Sequence, residues 1–288
     1  MKYRHWILIA SLALSSAACV IENHAPAEMA SISSSQPKGQ ETTIDAEVQF
    51  PIGTLEVGGE RGGAAYSLDV DYDKSSYEPD IRYTTADGGG RGVLTFRLEG
   101  GGKPQIRADR QQNRARLNLS TAVPVRMRLN SGVGDTRLSL TGLQVARLEL
   151  EAGVGEARLS MYEPNPVVCD AVRIKSGVGQ MTATGLGNLN FRDFEFEGGV
   201  GGASLEFSGQ IRQDANLRIQ VGIGGVSVRL PREIGVRVDA EKNFLSGLHL
   251  EGLSRRDSGY YSENYDKAKV RLSFRVATGV GGFRISWL

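Results

Sequence analysis

The sequence predicts an all-β protein dominated by a parallel β-solenoid, and three observations predict it. Apolar residues alternate with period two over nearly the whole folded region, as in Tyr66, Leu68, Val70, Tyr72 and in Leu94, Phe96, Leu98. A glycine-bracketed phrase, first met as NSGVG, returns with its leading glycine at Gly132, Gly153, Gly177, Gly199, Gly222 and Gly279. The first five lie 21, 24, 22 and 23 residues apart, and the final gap of 57 leaves room for one diverged repeat and a loop. A fixed period of this size marks stacked coils of about 22 residues. The third observation is a phase slip inside each repeat. Five and three residues before the glycine stand apolar pairs such as Met127/Leu129, Leu148/Leu150 and Phe194/Phe196; beyond it the apolar set moves to Leu138/Leu140, Leu159/Met161 and Leu205/Phe207. One strand cannot change face without a bend.

The N-terminus, MKYRHWILIASLALSSAAC, has a basic start at Lys2 and Arg4, a short apolar run and small residues before Cys19. Residues 1–18 are therefore expected to be a signal peptide. The pattern resembles a bacterial lipoprotein signal, which implies that Cys19 is lipidated and that the membrane is a partner through that lipid. With Val20 rather than an aspartate next, the resemblance to sorting signals favours the outer membrane of the cell envelope. Residues 19–44 are polar and Ser/Pro/Ala-rich, which predicts a flexible tether. A β-rich N-terminal subdomain is expected over 45–128, and the solenoid over 129–288 with a loop insertion at about 247–268.

The second glycine of each phrase is where the bend is expected: Gly134, Gly155, Gly179, Gly201, Gly224 and Gly281. A corner commonly demands positive φ, which glycine adopts freely. The residue between the glycines, Val133 and its equivalents, is expected to point into the core. IGTLEV at 52–57 fits the same pattern with Gly53 at the corner. The diverged rung is expected at 236–247, with Asn243 at the corner, between the fifth repeat and the last. Polar positions support the stack. Four before the glycine, Arg128, Glu149, Arg173, Glu195 and Arg218 alternate in sign, so each faces an opposite charge one strand away. The last rung then ends the chain at Trp287 and Leu288, an exposed edge open to pairing.

The chemistry-bearing residues are few. Formal net charge is +1, or −1 once Lys2 and Arg4 are removed, so nothing draws the chain toward nucleic acid. The two cysteines, Cys19 and Cys169, leave no disulfide framework and no zinc site, and no metal or cofactor is expected. Nucleotide binding lacks a phosphate loop and a following helix. His249 and Cys169 read as structural, so no catalytic residue is assigned. Asp135 and Glu156, equivalents on adjacent rungs, are the pair a glycosidase or lyase would use. Tyr260, Tyr261 and Tyr265 form a candidate binding loop, or a cap on the solenoid flank.

Two segments carry a family resemblance. FPIGTLEVGGERGGAAYSLDVDYDKSSYEPDIRY resembles the N-terminal part of the toast-rack family of bacterial lipoproteins. The GVG repeats, with LPREIGVRVDAE and TGVGGFRI, resemble adhesin-like solenoids and the C-terminal region of LiaF-type cell-envelope response proteins. The resemblance implies a right-handed parallel β-solenoid without established catalytic residues. It points to a non-enzymatic envelope lipoprotein that binds a protein or glycan, in cell-envelope stress response by the LiaF-type likeness. The alternatives are a self-assembling scaffold of the bactofilin kind and a carbohydrate-active β-helix enzyme.

Overall fold

The computed structural model describes residues 28–101, 113–240, 247–257 and 259–288. The expected signal peptide, Cys19 and Asn243 lie outside the described residues. Among the described residues, eighteen strands form one continuous sheet. In chain order they are β1 (Met29–Pro37), β2 (Thr43–Ile52), β3 (Thr54–Glu60), β4 (Ala64–Asp73), β5 (Tyr77–Ala86), β6 (Arg91–Gly100), β7 (Arg114–Ser120), β8 (Pro124–Val133) and β9 (Thr136–Ser139). There follow β10 (Gln144–Ser160), β11 (Cys169–Thr184), β12 (Phe191–Glu206), β13 (Ala215–Leu230), β14 (Gly235–Ala240), β15 (Gly247–Leu250), β16 (Leu253–Arg256), β17 (Gly259–Ser262) and β18 (Arg271–Trp287).

Each coil has two arms meeting at the glycine corner, and neighbouring coils pair in parallel. Met127, Leu148 and Val172 queue in one column, as do Leu129, Leu150 and Ile174. These residues are fully buried, and so are Leu138, Leu159 and Ala183 of the second arm. Both arms therefore feed one interior, which is the meaning of the phase slip. A third side closes each coil with short return segments. Buried asparagines pair these segments where the lengths vary. The Asn165 side chain accepts from the Val145 N–H at 3.0 Å and donates to the carbonyls of Val145 and Leu189 at 2.7 and 2.9 Å.

The rungs do not stack in chain order. β2/β3 lies between β6/β7 and β8/β9. At the other end β18 pairs along its length with β13 and also with β14 and β15, so the last rung slots between the fifth repeat and the diverged rung. This corrects the expected order and the expected open terminus. Trp287 pairs with Leu230, and its indole N–H donates to the Glu251 carbonyl at 2.9 Å. The N-terminal region is also one stack with the solenoid, because Ile44–Ile52 pairs with Val125–Val133.

Antiparallel strands close both ends. β5 pairs with β6, and β4 with β7; β17 pairs with β14, and β16 with β17. Over β6, β7 and β14 the parallel ladder is thus not continued, whereas β15 has a ladder partner, β18, on one edge among the described residues. Gly247–Leu250, Leu253–Arg256 and Gly259–Ser262, expected within a loop, are strands.

The tether expectation is corrected too. Met29–Pro37 is a strand antiparallel to β4. Its serines meet the aspartates of β4: Ser31 Oγ donates to Asp71 and Ser33 Oγ to Asp69, both at 2.6 Å, while Ser34 Oγ and Tyr66 Oη lie 2.8 Å apart. Serine has little β propensity, so composition reads this segment as loose. Cross-strand hydrogen bonds supply what propensity does not.

Candidate binding face

At the corners, Gly134, Gly155, Gly179, Gly201, Gly224 and Gly281 have φ between 130 and 142°, and Gly53 has 121°. Space demands glycine as much as φ does. A Cβ on Gly155 would fall on the carbonyl oxygen of Gly134, and one on Gly179 on that of Gly155.

The residue between the glycines points outward, which corrects the expectation that Val133 fills the core. Val133, Val154, Val178, Val200, Ile223 and Val280 are 41, 49, 49, 47, 54 and 63% exposed. The inside of each corner is already taken by the residues that flank the bend. Ser131 with Thr136, and Val221 with Val226, are the buried pairs there. The apex side chain is left on the convex side, and six of them form an apolar ridge.

On the outer face of the first arm runs the charge ladder. In stacking order it reads Glu47, Arg128, Glu149, Arg173, Glu195, Arg218, Arg275, Asp239. Glu149 is its hub: it accepts from Arg128 at 2.9 Å, Arg147 at 2.7 Å and Arg173 at 3.3 Å. Burial alone would raise the Glu149 carboxyl, but the hydrogen bonds and charges of Arg147 and Arg128 outweigh it and hold its pKa below the usual carboxylate value. Beside it, Lys175 bridges Glu151 and Glu197 at 3.8 and 3.7 Å.

The alternation breaks once. Arg218 and Arg275 are register partners on adjacent strands, both exposed, and neither has an ion pair among the described residues. Of the neighbouring carboxylates, Glu195 pairs with Arg173 at 3.5 Å and Asp239 with Arg237 at 2.9 Å, while the exposed Asp193, in register with Asn216, lines the same depression. Chain order would have placed Asp239 between the two arginines and kept the signs alternating. The insertion of β18 defeats that, because its full-length pairing with β13 and its stacked glycine corner outweigh a surface charge preference of roughly 0.2–1 kcal/mol. The two guanidinia sit in an open depression of about 460 Å³, where Ala171, Asn216 and Ser273 leave room beside them. Two guanidinium forks on adjacent strands, without an ion pair among the described residues, can take a carboxylate or phosphate in bidentate fashion.

The other sequence candidates are placed differently. Asp135 and Glu156 are each paired with an arginine two residues on: Arg137 at 2.7 Å from Asp135, and Arg158 on Glu156. They face cations rather than each other, so the arrangement of two opposed carboxylates is not formed. Cys169 is fully buried, and burial pushes its thiol up to about 12, the state of an inert core side chain. His249 is exposed on β15 beside Arg284. The tyrosines belong to the cap. Tyr260 packs against the core, and Tyr261 lies edge-on to Tyr265 at 4.9 Å. The guanidinia of Arg237 and Arg256 stand over the Tyr261 ring at 5.6 and 5.4 Å. Sequence reading missed the arginine pair because its adjacency depends on the crossover, which no local pattern encodes.

The family model for the N-terminal domain of toast_rack, DUF2154, matches residues 25–184. Among solved structures, the chain is similar to a candidate cell adhesion protein from Clostridium sporogenes, at 18% identity over 91% of this chain and 100% of that one, with a TM-score of 0.49. It is also similar to a candidate adhesin from Bacteroides fragilis, at 14% identity over 88% of this chain and 97% of that one, with a TM-score of 0.36. A candidate adhesin from Parabacteroides merdae is similar at 9% identity over 91% and 96%, with a TM-score of 0.31. No curated protein matches the chain.

Proposed function

Since the chain belongs to the toast-rack family through the domain spanning residues 25–184, we propose that it is a non-enzymatic, adhesin-like binding module of the bacterial cell envelope. Lipid on Cys19 anchors it, with the outer membrane favoured by the residue that follows, and the solenoid presents its first-arm face to an envelope protein or glycan. The observation that carries the binding role is the adjacent Arg218–Arg275 couple in its depression, without an ion pair among the described residues. A like-charge neighbour in an otherwise alternating ladder lowers stability, and such local conflicts concentrate at functional sites. The matching ligand feature is an acidic group, such as a uronic acid carboxylate, a phosphate, or an acidic side chain of a protein.

The test uses the full chain with Cys19→Ser and an oligosaccharide of uronic acids beside its neutral counterpart. Binding of the acidic form, weakened by salt and reduced at least tenfold in Arg218→Gln/Arg275→Gln, is the expected result. Equal retention of both sugars by both proteins would refute the acidic-glycan form of the reading. For the anchor, Cys19→Ala should abolish acyl labelling and release the protein to the soluble fraction. A wild-type chain that takes up no label would contradict the lipoprotein assignment.

A further inference from the structure

We infer that the apolar ridge is the seam of a symmetric dimer in which a second copy of this chain lies antiparallel across it. Six consecutive rungs carry Val133, Val154, Val178, Val200, Ile223 and Val280 at the apex, each between 41 and 63% exposed. At about 4.8 Å per rung the ridge runs roughly 24 Å, an uninterrupted β-branched line on a surface otherwise rich in charge. Contiguous apolar surface of this kind marks an interaction site. The glycines on either side of each apex residue keep the ridge clear, so a partner can reach it.

The residues flanking the ridge identify the occupant. A two-fold axis crossing the ridge between β11 and β12 sets each rung against the rung counted from the other end, and each flank against the same flank of the partner. On the second-arm flank, three residues after the leading glycine, the rungs carry Asp135, Glu156, Gln180, Gly202, Gly225 and Gly282. The axis places Asp135 over the partner's Gly282, Glu156 over the partner's Gly225 and Gln180 over the partner's Gly202. Asp135 and Glu156 each meet a glycine with no side chain over it, whereas Gly202 is already overlain by Gln180 of its own chain. On the first-arm flank, two residues before the glycine, the rungs carry Asn130, Glu151, Lys175, Glu197, Gln220 and Ala277. The same axis sets Lys175 against the partner's Glu197, Glu151 against the partner's Gln220 and Asn130 against the partner's Ala277, with no like charges facing. Parallel ridges would instead set Glu156 against the partner's Glu151, a repulsion the antiparallel arrangement avoids. One axis thus satisfies size for Asp135 and Glu156 on one flank and charge on the other, as an isologous contact requires. The six apex side chains supply part of the roughly 800 Å² per partner of a standard interface, and the two flanks extend it.

The experiment is sedimentation equilibrium of the full chain carrying Cys19→Ser, beside Val178→Lys/Val200→Lys. The expected result is a concentration-dependent dimer whose dissociation constant rises on the order of 100-fold in the lysine variant, with little change in melting temperature. A chain that stays monomeric at several hundred micromolar, or a dimer indifferent to the two lysines, overturns the inference. A monomer whose ridge instead captures a different protein overturns it as well. Should the lysine variant fail to fold, cysteine pairing keeps the question answerable. Val133→Cys/Val280→Cys should give an interchain disulfide under mild oxidation and Val133→Cys alone should not, since the two sites are five rungs apart within one chain. Interchain pairing by Val133→Cys alone would overturn the antiparallel seam.

Discussion

At the scale of the residue, the corner separates two side chains that the sequence places next to each other. Gly155 has φ of 138° and no room for a Cβ beneath the Gly134 carbonyl, whereas Val154 is 49% exposed. Gly155→Ala should therefore cost about 3 kcal/mol or more in chemical denaturation, and Val154→Ser no more than about 1 kcal/mol. The inverse ranking would mean that the apex residue faces the core after all. Glu149, with a side chain 19% exposed and three arginine partners, is the strongest polar contact of the ladder. Glu149→Gln should lower stability at pH 7 by roughly 1 to 2 kcal/mol, discounted for the exposure of its partners. The folded pKa of Glu149 lies below its unfolded value, so its contribution is complete above the usual carboxylate pKa and is lost as pH falls through the folded value. The deficit of the variant should accordingly shrink as pH falls through the folded value, as measured by denaturation midpoints across pH. The glycine corner was legible in the sequence because the phase slip demanded a bend. The direction of Val133 was not, since parity counts faces along a straight strand and the bend itself turns the apex residue outward.

At the scale of the element, β18 and β1 show where local pattern stops being informative. β18 is the C-terminal strand, yet it is hydrogen-bonded by β13 on one side and by β14 and β15 on the other. Amide exchange at Leu272, Phe274 and Val276 should be among the slowest in the chain; rapid, frayed exchange there would contradict the inserted position. The strand itself was readable from RLSFRVATGVGGFRI and its shared offsets. Its place was not, because the charge ladder alone favours Asp239 between Arg218 and Arg275, and that small preference yields to full-length pairing. β1 was missed for a different reason. Its Ser-rich composition resembles a linker, and the aspartates that order it stand some forty positions away on β4.

At the scale of the whole molecule, the chain is one stack of coils with crossed connections near both ends and antiparallel strands over each. The crossings join the termini of the stack to its middle, and antiparallel strands cover the outer edges of β6, β7 and β14. They also bring Arg218 beside Arg275, so the binding reading depends on the stacking order. That order is tested most directly by cysteine pairing across the outer face, in the full chain with Cys19→Ser. Asn216 and Ser273 are register partners when β18 lies between β13 and β14. Asn216→Cys/Ser273→Cys should form an intrachain disulfide, and Asn216→Cys/Arg237→Cys should not, because β14 is then one strand too far. Ready bridging of the second pair with failure of the first would contradict the account.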